Sequence, residues 1–178
     1  MPKKTMPKMP KRDFTQSYAL MPHAANGDRQ GKPYLLMDVQ SASTAPGAPV
    51  IIWTTHSLVS TAPDNQDWWF GQSINPGDDS YAIVNNNSQL PIEMPGSSLA
   101  DNVQVTQAAP GQGGDNACWY LTDPHTGQHM SPVLGGSYNI VNKHSGKALG
   151  LDISDEKGFH DGDRVVQGGT PTVWTLLD

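Results

Sequence analysis

A Tyr-led apolar run recurs three times along the chain. The copies open with Ser17-Tyr18-Ala19-Leu20, Ser80-Tyr81-Ala82-Ile83 and Ser137-Tyr138-Asn139-Ile140. Each is followed by an acid between two apolar residues, in Met37-Asp38-Val39, Ile92-Glu93-Met94 and Leu151-Asp152-Ile153, and closes on Trp68, Trp119 or Trp174. The anchors repeat every 51–63 residues. A period that long, filled with short β-branched runs and turn residues, predicts three similar β units. Units of about four strands cannot bury their apolar faces alone, so they should close around a shared pseudo-threefold core. The expected repeats span residues 14–77, 78–135 and 136–178.

Composition supports an all-β chain. Eighteen glycines and fifteen prolines accompany only 16% charged residues, which favours many short strands and tight turns. Runs such as Tyr34–Val39, Val50–Thr54, Tyr81–Val84 and Arg164–Gln167 alternate with turn signals, among them Pro46-Gly47 and Asp161-Gly162. No window of a dozen residues keeps helical apolar spacing. Nor does any stretch reach the roughly 20 apolar residues of a membrane-spanning helix, so no membrane insertion is expected.

The net charge of −6 is unevenly distributed. Residues 1–12 hold five of the eleven bases and no acid, leaving six bases against seventeen acids elsewhere. The Met/Pro/Lys segment 1–13 cannot build a core and is predicted to be a disordered tail. An acidic body repels phosphate, which argues against nucleic acid as a partner. The single cysteine, Cys118, excludes an internal disulfide. With no signal-like apolar segment at the amino terminus, synthesis in the cytoplasm is expected, with any release by a non-classical route.

The repeats resemble the ricin B-type β-trefoil lectins. The likeness rests on Tyr138 to Leu149 with Asp161-Gly162-Asp163-Arg164-Val165-Val166-Gln167 in repeat three. In repeat one it rests on Gly47 to Trp53 and on Asn65-Gln66-Asp67-Trp68, which holds a Gln-x-Trp motif. The resemblance covers residues 14–178 and implies three pseudo-symmetric four-stranded repeats. It further implies that a repeat can hold a shallow sugar pocket. An Asp accepts hydrogen bonds from vicinal hydroxyls, an aromatic ring stacks on the C–H face of the pyranose, and an Asn before the Gln-x-Trp contacts a hydroxyl. A pyranose with one apolar face and a polar edge needs both kinds of group.

Carried over residue by residue, repeat one offers Asp38 as acceptor, Trp53 as platform, Asn65 as the amide, Gln66 as its support and His56 as a further polar contact. Repeat two substitutes Glu93 for Asp, Ala108 for the platform and Ala117 for Gln while keeping Asn116. Repeat three keeps Asp152 but has Gly168 at the platform position and Pro171-Thr172 in place of Asn-Gln. Glu93, Asn116 and Asp152 therefore mark degenerate sites, and one competent site is expected. Trp53 has no aromatic counterpart in the other repeats, whereas Trp68, Trp119 and Trp174 recur as symmetry-related core residues.

These features predict a non-enzymatic lectin for galactose- or N-acetylgalactosamine-type glycans, needing no cofactor. Shallow single-sugar sites reach only about millimolar affinity, so avidity would come from a homodimer or an extended glycan. No catalytic signature is present. His125 and His129 are spaced like a helical metal pair, but Pro124 and Gly127 oppose a helix and no metal is expected. The alternative is a β-trefoil interaction protein, such as a protease inhibitor or toxin accessory module, acting through protruding loops like Thr122–Gly136.

Overall fold

The computed structural model describes residues 16–26, 33–55, 64–73, 77–152 and 158–178. Among the described residues, fourteen strands make up most of the regular structure. Repeat one contributes β1 (Tyr18–Pro22), β2 (Leu35–Val39), β3 (Val50–Thr54) and β4 (Asp67–Gln72). Repeat two contributes β5 (Tyr81–Asn85), β6 (Ile92–Glu93), β7 (Val103–Gln104), β8 (Thr106–Gln107) and β9 (Trp119–Thr122). Repeat three contributes β10 (Ser137–Asn142), β11 (Leu149–Asp152), β12 (Arg164–Gln167), β13 (Thr170–Pro171) and β14 (Trp174–Leu177). The described α-helix is one turn, His23–Asn26.

The first and last strands of each repeat close a barrel in the order β1-β14-β10-β9-β5-β4. Closure removes sheet edges that would otherwise recruit other chains. The β2–β3, β6–β8 and β11–β12 hairpins complete the three lobes. This is a β-trefoil.

The repeated side chains hold the repeats together. Trp68, Trp119 and Trp174 are fully buried, as are Leu20, Ile83, Tyr138 and Ile140. Phe70 sits edge-on between Tyr18 and Tyr81, with ring centres 5.8 and 6.1 Å away. Each indole N–H also donates to a hairpin carbonyl: Trp68 to Met37 (3.1 Å), Trp119 to Ile92 (3.2 Å) and Trp174 to Leu149 (3.4 Å). One residue type thus fills the core and ties the barrel to each hairpin.

Those three bonds correct the sequence alignment of repeat three. Leu149, not Leu151, matches Met37 and Ile92, and it faces Gln167 as they face Ile52 and Gln107. Gly150, not Asp152, is therefore the counterpart of Asp38 and Glu93. A two-residue slip keeps every side chain on the same strand face, so apolar alternation cannot detect it.

Candidate functional site

The site sits on the outer face of the β2–β3 hairpin. Alternation sends Leu35, Met37, Val39, Val50 and Ile52 into the core. Leu36, Asp38, Ile51 and Trp53 share the opposite face, with Leu36 opposite Trp53 and Asp38 opposite Ile51. Trp53 remains 40% exposed, while Asp38 is 3% exposed. The indole is thus a surface shelf beside a recessed carboxylate.

Asp38, Trp53 and Asn65 line one cavity of about 400 Å³ together with Gln40, Ser41, Ala42 and Ile51. Asn65 reaches it from the turn before β4. Its amide donates to Asp38 Oδ1 (2.7 Å) and to the Val39 carbonyl (2.9 Å). Gln66, buried beside it, donates instead to the carbonyls of Trp53 (3.4 Å) and Thr54 (3.2 Å). Gln66 therefore holds the end of the platform strand and is not part of the lining. His56 lies outside the described residues.

Chemically, the cavity joins an apolar plate to a carboxylate and an amide held in place by the fold. Rigid aromatic area with adjacent charged acceptors suits a ligand that has both a C–H face and hydroxyls.

The sequence profile of the ricin-type beta-trefoil lectin domain-like family matches residues 64–168. The chain belongs to that family. Membership supports carbohydrate binding in general terms. Among solved structures, the chain is similar to ThreeFoil, a designed 3-fold symmetric protein. The two are 30% identical, with a TM-score of 0.64 over 91% of this chain and 98% of that one. An exo-beta-1,3-galactanase from Clostridium thermocellum is 24% identical, with a TM-score of 0.66 over 96% of this chain but 31% of that protein. The C-half of the earthworm R-type lectin, solved with GalNAc, is 13% identical with a TM-score of 0.53 over 91% and 98% of the two chains. These last two likenesses bear on the fold alone. No curated protein matches the sequence.

As a ricin-type trefoil, the chain carries the acid–amide pair twice. Asn116 donates to Glu93 Oε2 and to the Met94 carbonyl, each at 3.0 Å, as Asn65 does to Asp38 and Val39. Burial pushes the Glu93 carboxyl up from its ordinary pKa, against the lowering effect of that bond. The pair therefore also braces the hairpin, and the exposed indole is what sets repeat one apart. Ala108, opposite Pro91 as Trp53 is opposite Leu36, is fully buried and presents no plate.

Repeat three lacks the whole set. Its Asp152 is ion-paired to Arg164 (2.8 Å). At Gly150, the true counterpart of Asp38, a Cβ would collide with the backbone carbonyl of Thr170. At the platform position, a Cβ on Gly168 would run into the Asp101 carboxylate.

Sequence reasoning missed the other lining residues. Ile51 was within reach of strand alternation, two residues before Trp53. The rim Gln40–Ala42 was not, because Ser41 and Ala42 adopt φ of 58° and 50° without glycine to announce the turn. Repeat two makes the same turn with Gly96 and Ser97 at φ of 62° and 52°.

The histidine pair takes unrelated roles. His129 stacks on Tyr120 (4.2 Å, 18°), with its Nδ1 2.7 Å from Asp79. His125 sits in a turn whose backbone N–H donates to Asp123. Among the described residues no three His, Cys, Asp or Glu side chains gather as a metal set.

Proposed function

We propose that this protein is a non-enzymatic lectin that binds galactose- or N-acetylgalactosamine-type glycans through repeat one. The observation that carries this reading is the convergence of Asp38, Asn65 and an exposed Trp53 on one cavity. Asp38 accepts from vicinal hydroxyls, Asn65 contacts one of them, and the indole covers the C–H face of the ring. A single working site is supported by the buried Ala108 and by the filled positions at Gly150 and Gly168. Calorimetric titration with galactose, N-acetylgalactosamine, glucose and mannose tests it. The reading expects about millimolar binding of the first two, at one site per chain. Equal binding of all four, or of none, removes the proposed specificity.

One observation favours the second reading, an interaction protein. Met130, Val133 and Leu134 are 39%, 54% and 50% exposed on the repeat-two loop. On that reading, polar substitution of these three abolishes activity while Trp53→Ala leaves it intact.

A further inference from the structure

The platform of repeat one is built partly from repeat three. The turn His160–Asp163 comes from the long β11–β12 connection and lies against β3. Gly162 donates its N–H to the Ile52 carbonyl (2.9 Å), and Ile52 donates to the Asp163 carbonyl (2.9 Å). A Cβ at Gly162 would stand 4.0 Å from Trp53 Cζ3, so the turn backs directly onto the indole. Asp161 then takes hold of the next residue of the strand. Its Oδ1 accepts from the Thr54 backbone N–H (2.5 Å) and from the Thr54 hydroxyl (2.8 Å).

The turn itself is fixed. His160 N–H donates to Asp163 Oδ2 (2.8 Å), Asp163 N–H donates back to the His160 carbonyl (3.2 Å), and Gly162 takes φ of 93°. Such a φ excludes most side chains, which accounts for glycine there. Gln66, from repeat one itself, donates to the carbonyls of Trp53 and Thr54. The strand end that bears the platform is therefore clamped between its own repeat and a neighbour.

Of the three lobes, one has this clamp. The same inter-repeat hydrogen bond recurs from Gly47 to the Gln107 carbonyl and from Asn102 to the Gln167 carbonyl. The residue preceding that donor is Pro46, Asp101 or Asp161. Pro46 has no carboxylate. The Asp101 carboxylate lies over Gly168 and pairs with Lys147 (2.5 Å), occupying the space a platform would need. Only at Asp161 does the carboxylate secure a strand end next to an aromatic residue.

We infer that Asp161, with Gly162, is a positioning residue for the repeat-one sugar platform, so that the binding site is shared between repeats one and three. The inference rests on the proposed glycan site, and its test separates the two. The side-chain N–H signal of Trp53 is assigned in the full chain by its loss in Trp53→Phe, and the Thr54 amide is followed beside it. Without any sugar, Asp161→Ala is expected to shift or broaden both signals while those of Trp68, Trp119 and Trp174 stay in place. Unmoved Trp53 and Thr54 signals overturn the clamp whether or not the protein binds saccharides.

With lactose as probe, Asp161→Ala should weaken binding about fivefold to tenfold at unchanged melting temperature, as expected when a charge-assisted support for a binding group is lost. Asp161→Asn keeps an acceptor oxygen and should recover most of that loss. Unchanged lactose affinity in Asp161→Ala overturns the positioning role. A wild-type protein that ignores lactose while its NMR signals respond overturns the glycan reading and leaves the clamp standing.

Discussion

Replacing Trp53 by alanine measures how much of the binding energy the platform supplies. A tryptophan carries about 150–250 Å² of contact area, and Trp53 leaves 40% of itself exposed. The area open to a ligand is therefore about 60–100 Å². Covered by the C–H face of a sugar at ~25 cal/mol per Å², it contributes about 1.5–2.5 kcal/mol. That corresponds to a weakening of about 10- to 70-fold on removal. From about millimolar, the dissociation constant would rise to tens of millimolar or beyond. Titration followed by NMR suits affinities this weak, and Trp53→Phe should fall between wild type and Trp53→Ala. Unfolding of the unliganded variants provides the control: Trp68→Ala, which removes a fully buried ring, should cost about 3–5 kcal/mol and far exceed Trp53→Ala. Wild-type affinity in a folded Trp53→Ala would refute the stacking argument.

Three other predictions concern repeats two and three. Lys143 bridges Asp78 (2.7 Å) and Asp115 (3.4 Å). Desolvation lowers its pKa, but the bond to Asp78 and the nearby acids outweigh this and raise it to about 12. Desolvation likewise raises Asp78, yet the hydrogen bonds from Lys143, Ser80 and Ser73 hold it well below the carboxylate range. The lysine's contribution is complete below its unfolded pKa of about 10.4 and fades toward pH 12; the aspartate's is complete above about pH 3.9 and fades in acid. Denaturation of Asp78→Asn, Lys143→Met and the double variant should give a coupling of about 1–2 kcal/mol at pH 7, and zero coupling contradicts it. Gly150→Ala should destabilise by about 1–3 kcal/mol in urea, because the Thr170 carbonyl is backbone and cannot rotate aside; a neutral outcome would show that β13 yields. Burial raises the Cys118 thiol pKa, only partly offset by Lys143 and a hydrogen bond from Ser80. Folded protein should thus alkylate more slowly than unfolded protein at pH 8, and equal rates would contradict that.

Much of this fold was legible because its punctuation repeats. Three tyrosines and three tryptophans mark the strands that must meet in the barrel, and symmetry demands that they be buried. The first-lobe trio was legible because Asp38 and Asn65 have counterparts in repeat two while Trp53 stands alone. What escaped was local or relational. Strands as short as Ile92–Glu93 and Thr170–Pro171 are set by tertiary pairing and leave no periodic signal. Asp152 misled because a strand repeats every two residues, so an acid two places along fits the same pattern. Asp161-Gly162 was readable as a turn, but its place behind Trp53 depends on closure of the trefoil across about a hundred residues of sequence.

The most direct test is a titration of isotope-labelled protein with lactose, followed residue by residue. Shifts should concentrate at Asp38, Gln40 to Ala42, Ile51, Trp53 and Asn65, and be absent from Glu93, Asn116 and Asp152. Shifts centred on Met130 to Leu134, or no response at concentrations well above millimolar, would contradict carbohydrate recognition by the first lobe.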